Sequence, residues 1–268
     1  MEDNKEIQYR TRQTQGVSDK FSTLKNLEIN VTNSCNRTCD NCPHSVEEYE
    51  YRHGRADLSL FEVLAGQLVE KNYRGSIVLC GFGEPVMYKQ LVPAVKILAT
   101  TNANIELITN GELLTPDKVT DLFSAGLDVI NISVYEESFL EHAHLLVSGL
   151  SAEQWLIRDR YSKNQLSVNR IEIFKDIKTT DRTTPCWLPA YKMLLDYNGD
   201  VMLCCNDWTR STTFGNIFET NVWDIWTEKM QPKRLELLEG KNITGVCTNC
   251  NVYGNTYGAE SVRFYNND

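Results

Sequence analysis

The chain has 268 residues, enough for one large core with or without a small appendage. Hydrophobic residues make up 41% and charged residues 24%, a soluble globular balance, and a net charge of −9 with no Lys/Arg cluster argues against binding nucleic-acid backbone. The polar N-terminus MEDNKEIQYR is not a signal peptide and no apolar run approaches a membrane span, so no membrane partner is expected, and clustered cysteines then mean metal or catalysis in a reducing cytoplasm.

Residues 1–24, rich in Gln, Thr, Arg and Asp, read as a mobile lead-in. From Leu27 the pattern alternates. LEINV (27–31) predicts a strand, LSLFEVLAGQLVEKNY (58–73) an amphipathic helix, SIVLC (76–80) a strand, and KQLVPAVKILATT (89–101) a helix with Pro93 near its first turn. IELIT (105–109) is again a strand. TPDKVTDLFSAG (115–126) is a helix with a Thr cap, Pro at its first position and a closing Gly, and DVINISV (128–134) is a strand. Such alternation implies right-handed βαβ units and a parallel sheet, an α/β fold.

Past Tyr135 the rhythm loosens. SAEQWLIRDRY (151–161) is expected to be helical and LSVNRIEIF (166–174) to be one more strand. KMLLDYNGDVMLCCN (192–206) reads as two strands joined at Asn198-Gly199, a strong hairpin signal. Hairpins, short helices and cysteines follow Pro185. The expected boundary lies near residue 180, dividing the chain into 25–180 and 181–268.

SCNRTCDNCP (34–43) places Cys35, Cys39 and Cys42 on the loop after the first strand. Three thiolates can hold three irons of a 4Fe–4S cube and leave the fourth open; a zinc knuckle completed by His44 or His53 is the alternative. GFGEPV (81–86) is not a dinucleotide fingerprint, because the third Gly is absent and Pro85 blocks helix initiation there. A second set comprises Cys186, Cys204, Cys205, Cys247 and Cys250. Four of these thiolates complete a cube with no vacancy, or a zinc ribbon. Hairpin register favours Cys204 as the ligand and turns Cys205 to the opposite face. Cys80, ending an inner strand, reads as core filler.

The C-x3-C-x2-C loop resembles that of the radical S-adenosylmethionine (SAM) superfamily, and the likeness extends further. GFGEP (81–85) resembles the family's Gly-Gly-Glu motif, with Gly81, Gly83, Glu84 and Pro85 at the methionyl amino group. ITNGELLT (108–115) resembles its TNG turn through Asn110, and ISVY (132–135) places Ser133 where the family contacts ribose or the methionine carboxylate. Asn41 stands where an aromatic residue is frequent. FGNI (214–217) and VWDIW (222–226) are similar to the C-terminal SPASM extension, here in the one-cluster version named Twitch. The resemblance implies an abbreviated partial (β/α) barrel with a small C-terminal hairpin-plus-helix iron–sulfur domain. It also implies SAM, one 4Fe–4S cluster that binds it, one auxiliary 4Fe–4S cluster, and a flavodoxin- or ferredoxin-type electron donor.

By the same resemblance, SAM is cleaved to a 5′-deoxyadenosyl radical that abstracts a substrate hydrogen. The segment before the first strand is too short for the leader-peptide-binding domain of peptide-modifying relatives. The short barrel is similar to that of family dehydrogenases that oxidise a cyclitol alcohol to a ketone. SVNRI (167–171) resembles their Asn-Arg-Gly-Gly strand, keeping Asn169 and Arg170 but replacing the glycines by Ile171 and Glu172. Arg170 is the candidate catalytic residue, able to orient a hydroxyl and stabilise an oxyanion, with a surface ion pair as the plain alternative. The expectation is dehydrogenation of a polar small molecule. The alternatives are epimerisation with Cys205 returning a hydrogen atom, peptide maturation, and a non-catalytic iron–sulfur or zinc scaffold.

Overall fold

Five strands alternate with four helices in the first part of the chain. They are β1 (Asn26–Asn30), β2 (Ser76–Cys80), β3 (Asn104–Thr109), β4 (Val129–Val134) and β5 (Trp155–Asp159), all mutually parallel. Helices α1 (Leu58–Glu70), α2 (Leu91–Leu98), α3 (Pro116–Ala125) and α4 (Leu140–Leu146) lie between them in the chain. The computed structural model describes residues 15–40, 42–50, 53–161, 184–241, 243–252 and 257–266. Local chemistry sets the helix ends. The Thr115 hydroxyl accepts the Lys118 N–H at 3.1 Å, Pro116 opens α3, and Gly126 closes it at φ 111°.

The hairpin read from Asn198-Gly199 does not stand apart. Its first strand, β6 (Lys192–Leu195), pairs in parallel with the free edge of β1, and β7 (Asp200–Met202) and β8 (Thr213–Asn216) follow antiparallel. One sheet results, ordered β5-β4-β3-β2-β1-β6-β7-β8, with an edge at each end as in a partial barrel. Around it pack α5 (Leu188–Tyr191), α6 (Val222–Asp224), a π-helical turn Ile225–Lys229, α7 (Gln231–Glu239) and α8 (Ala259–Asn266).

Strand alternation divides the buried residues. Leu27, Ile29, Ile77, Leu79, Ile105, Leu107, Ile130, Ile132, Ile157, Met193 and Leu195 join the core formed with the helices. The intervening positions (Asn26, Glu28, Ser76, Val78, Glu106, Asn131, Ser133, Lys192 and Leu194) face the other way, into the lumen of the curved sheet. Cys80 belongs to this second set and is half-buried, so it does not fill the helix-side core as expected.

Two further expectations need correction. Residues 151–161 are not a helix: Ser151 and Gln154 close a turn with two 3.0 Å hydrogen bonds, and Trp155–Asp159 then pairs with β4. Burying Leu156 and Ile157 against the sheet outweighs the helix propensity of Ala152, Glu153 and Gln154. The helix of this unit is α4, earlier in the chain. The lead-in, where described, is tied down. Thr23 is fully buried, accepts the Trp226 indole N–H at 3.0 Å, meets the Tyr265 hydroxyl at 2.9 Å, and accepts the Ser261 hydroxyl on its carbonyl at 2.8 Å. The strand expected at 166–174 lies outside the described residues.

Candidate active site

Cys35, Cys39 and Cys42 follow β1 on a loop whose ends are fixed by short bonds. Cys42 N–H donates to the Cys39 carbonyl at 2.9 Å, and the Arg37 N–H points at the Cys35 sulfur at 3.4 Å. The Arg37 guanidinium lies 5.1 Å over the Tyr135 ring and pairs with Glu112 and Glu136, tying the loop to the turns after β3 and β4. Burial raises the Tyr135 phenol above its ordinary range, with the Cys39, Cys42 and Cys35 thiols beside it adding to the rise. The three thiols thus sit on one loop over the ends of the parallel strands, on the side of Tyr135. Burial likewise raises the Cys35 thiol. His44 points elsewhere, its Nε2 lying 2.8 Å from the Phe82 carbonyl.

The turn after β2 packs directly on this loop. A side chain at Gly83 would place its Cβ 2.4 Å from the Thr32 carbonyl oxygen and 2.5 Å from that of Ser34; at Gly81, with φ +127°, it would meet the Asn30 side chain at 2.4 Å. Only glycine permits this approach. Glu84 N–H donates to the Ser34 carbonyl at 2.8 Å. The Glu84 carboxylate is buried and accepts three bonds, from Val86 N–H at 2.9 Å, the Thr109 hydroxyl at 2.6 Å and Asn110 N–H at 2.8 Å. Burial pushes its pKa above the usual range and these donors oppose the rise. Glu84 thus caps the turn that Pro85 opens and also clamps the turn after β3, leaving about one lone pair for a further donor. Asn110 directs its side chain to Asn36 and to Glu112 N–H. Ser133 lies on the lumen face of β4, opposite Arg158 of β5.

The second set of thiols lines one small cavity. Cys186, Cys204, Cys247 and Cys250 surround it, with Leu188, Leu203 and Leu237 among its apolar walls. Cys186 is held by its N–H on the Leu237 carbonyl at 2.8 Å, and Cys250 N–H donates to the Cys247 carbonyl at 3.3 Å. Burial raises the Cys204 thiol well above its ordinary value, and Cys205, Cys186 and Cys247 nearby add to this. Such thiols become anionic only with a compensating cation. Four sulfurs around one small, mostly apolar void suit an iron–sulfur cube. Cys205 turns away and packs with Tyr49, Phe82, Leu194, Met202 and Trp208 on the lumen side. The strand has ended at Met202, so a loop rather than the pleat separates the two cysteines.

The lumen face of the parallel strands is polar, which sequence reasoning missed. Lys192 donates to Glu28 at 2.6 Å, and Asn104 and Asn131 each reach Glu106 at 3.4 Å. Glu28 Oε2, Asn26 Oδ1, Ser76 Oγ and Asn131 Oδ1 are buried with no hydrogen-bond partner among the described residues. The available signal was a charged residue in the middle of strands otherwise apolar, Glu28 in LEIN and Glu106 in IELIT. Arg170, Asn169 and Asn41 lie outside the described residues.

Residues 29–156 match the radical SAM superfamily, and residues 186–251 match SPASM, the iron–sulfur cluster-binding domain. The chain belongs to the radical SAM superfamily and is an enzyme of that class with a SPASM-type extension, whose cofactors are SAM and iron–sulfur clusters in both parts. It is 29% identical over 242 residues to the S-adenosyl-L-methionine-dependent 2-deoxy-scyllo-inosamine dehydrogenase of Niallia circulans, covering 87% of this chain and 94% of that one. The crystal structure of BtrN with AdoMet and 2-DOIA superposes with a TM-score of 0.73 at 26% identity, covering 85% of this chain and 93% of that chain. A GTP 3′,8-cyclase of Rhodopirellula baltica matches at 33% over 132 residues, 47% of this chain and 36% of that protein.

Proposed function

We propose that this enzyme dehydrogenates a small molecule rich in hydroxyl or amino groups. The observation that carries the reading is the polar lumen face of the parallel strands. Its buried atoms without partners, on Glu28, Asn26, Ser76 and Asn131, are acceptors or hydroxyls, so they favour a ligand that donates hydrogen bonds. The dehydrogenase of Niallia circulans, which acts on 2-deoxy-scyllo-inosamine, supports the same substrate class.

In this reading Cys35, Cys39 and Cys42 hold the first 4Fe–4S cluster, and Cys186, Cys204, Cys247 and Cys250, within residues 181–268, hold the auxiliary one. Gly81, Gly83, Glu84, Pro85, Asn110 and Ser133 form the SAM site. When bound, these groups supply a hydrogen-abstracting 5′-deoxyadenosyl radical and an acceptor for the second electron. The chain's own residues exclude water and aim the substrate: the Tyr49, Phe82 and Trp208 rings wall one side, and Lys192, Glu28 and Arg170 orient polar groups. The remaining residues of 25–180 form the barrel part. Electrons arrive from a flavodoxin- or ferredoxin-type donor in the cytoplasm. Among the described residues no helix is long and apolar enough to cross a membrane.

A second reading, epimerisation, is favoured by one observation. Cys205 packs on the lumen wall and lies near Lys192, where a thiol could return a hydrogen atom. Anaerobically reconstituted enzyme given SAM, reductant and 2-deoxy-scyllo-inosamine or related aminocyclitols is expected to form one carbonyl per 5′-deoxyadenosine. If none of these compounds yields a carbonyl while SAM is cleaved, the dehydrogenase reading fails.

Glu84 supplies a separate check on the SAM site. A charge-assisted bond from its last lone pair to the methionyl ammonium is worth roughly 1.5–3 kcal/mol. Glu84→Gln is therefore expected to weaken SAM binding about tenfold or more by equilibrium dialysis, with iron content unchanged. Unaltered affinity would reduce Glu84 to its turn-capping role.

A further inference from the structure

Arg210 stands in the loop that follows Cys204 and Cys205, far in sequence from the SAM site. It has a left-handed backbone at φ 55°, uncommon for a side chain of this size. The loop is built to hold it there. Asp207, fully buried, accepts the Thr209 hydroxyl at 3.1 Å, the N–H and hydroxyl of Ser211 at 3.0 and 2.7 Å, and the Thr212 N–H at 2.9 Å. Backbone strain that survives because its surroundings fix it is a feature to explain rather than a defect.

The guanidinium reaches back across the sheet. Its Nε donates to Asp196 at 2.7 Å, Nη2 to the Asn33 side chain at 2.9 Å, and Nη1 to the Tyr49 hydroxyl and the Trp208 carbonyl, each at 3.3 Å. Its plane lies 4.9 Å over the Phe82 ring, which also stacks 4.6 Å from Trp208. Asn33 lies two residues before Cys35, and its Oδ1 also accepts from Asn30, whose own Oδ1 accepts Phe82 N–H at 2.9 Å. One fixed cation thus joins the first cysteine loop, the GFGEP turn and the end of β6. A planar fork with several donors suits this junction; a lysine would keep the charge and lose the geometry.

We propose that Arg210 is a positioning residue for the SAM site, so that the extension completes the site formed by the barrel. The inference stands whichever substrate the enzyme takes. The test uses reconstituted full-length enzyme and SAM alone. Arg210→Gln is expected to bind SAM about tenfold more weakly and to diminish the change that SAM induces in the electron paramagnetic resonance spectrum of the reduced first cluster. Arg210→Lys should recover part of both. Affinity within about twofold of the parent with a parent-like spectrum would overturn the proposal. Should Arg210→Gln lose iron, selective loss from the first site, leaving the auxiliary cluster spectrum intact, supports it. Loss of both clusters together with a collapsed melting transition overturns it in favour of a general folding role.

Discussion

Replacing Cys35, Cys39 and Cys42 together by Ala is expected to reduce the iron of anaerobically reconstituted protein from about eight atoms to about four and to abolish SAM cleavage. The expectation rests on two separate thiol sites. The first three thiols lie near Tyr135 on the loop after β1, which Arg37 fixes to Glu112 and Glu136. The other four line a cavity between α5, α7 and the loop after β7. The loop and the cavity use different chain segments, so emptying one should leave the other loaded. Three protein thiolates leave one iron open for SAM, whereas four leave none. Iron and sulfide analysis with a 5′-deoxyadenosine assay checks both halves. Variant protein retaining about eight irons would place the first cluster elsewhere.

The adjacent cysteines should behave oppositely. Cys204 lines the cavity with the other three thiols, and Cys205 packs against the cluster that holds Tyr49, Phe82 and Trp208. Cys204→Ala is expected to lose most of the auxiliary cluster, about four irons, because the apolar cavity offers no ligand in place of the missing thiolate, whereas the open iron of the first site has SAM. Cys205→Ala should keep about eight. It should also keep dehydrogenation, since that route needs no hydrogen donor, while an epimerase would stop at this substitution and continue to cleave SAM. Equal iron loss in both variants would contradict the division of the pair.

Much of this arrangement was legible because it is written in local patterns. Thr115, Pro116 and Gly126 announce α3 by cap chemistry, and SIVLC coincides with β2. The cysteine spacing and GFGEP mark the loops that follow β1 and β2; that Gly81 and Gly83 pack these two loops against each other is a finding of the structure. Three things were not legible. Residues 151–161 carry helix formers before WLIRD, and only the tertiary gain of an edge strand on β4 decides between the two states. The parallel pairing of β6 with β1 is non-local and leaves no short-range signal, so the extension read as a separate hairpin rather than as a continuation of the sheet. Arg210 belongs to no motif. Its importance comes from Asp196, Asn33 and Phe82, which the fold alone brings together.

The continuous sheet also brings the extension onto the lumen face of the barrel strands. β6 places Lys192 beside Glu28 of β1, and the loop after β7 brings Cys205, Trp208 and Arg210 over the same face. A substrate held there would meet the SAM site and the extension at once. The measurement that tests this account most directly is the aminocyclitol reaction run in heavy water, with product oxidation state and deuterium content read by mass spectrometry. The account predicts a carbonyl product at the oxidation level two hydrogens below the substrate, one 5′-deoxyadenosine for each, and no solvent deuterium on carbon in recovered substrate or any isomer of it. A product of unchanged oxidation state with one solvent deuterium on carbon would contradict it and establish the epimerase.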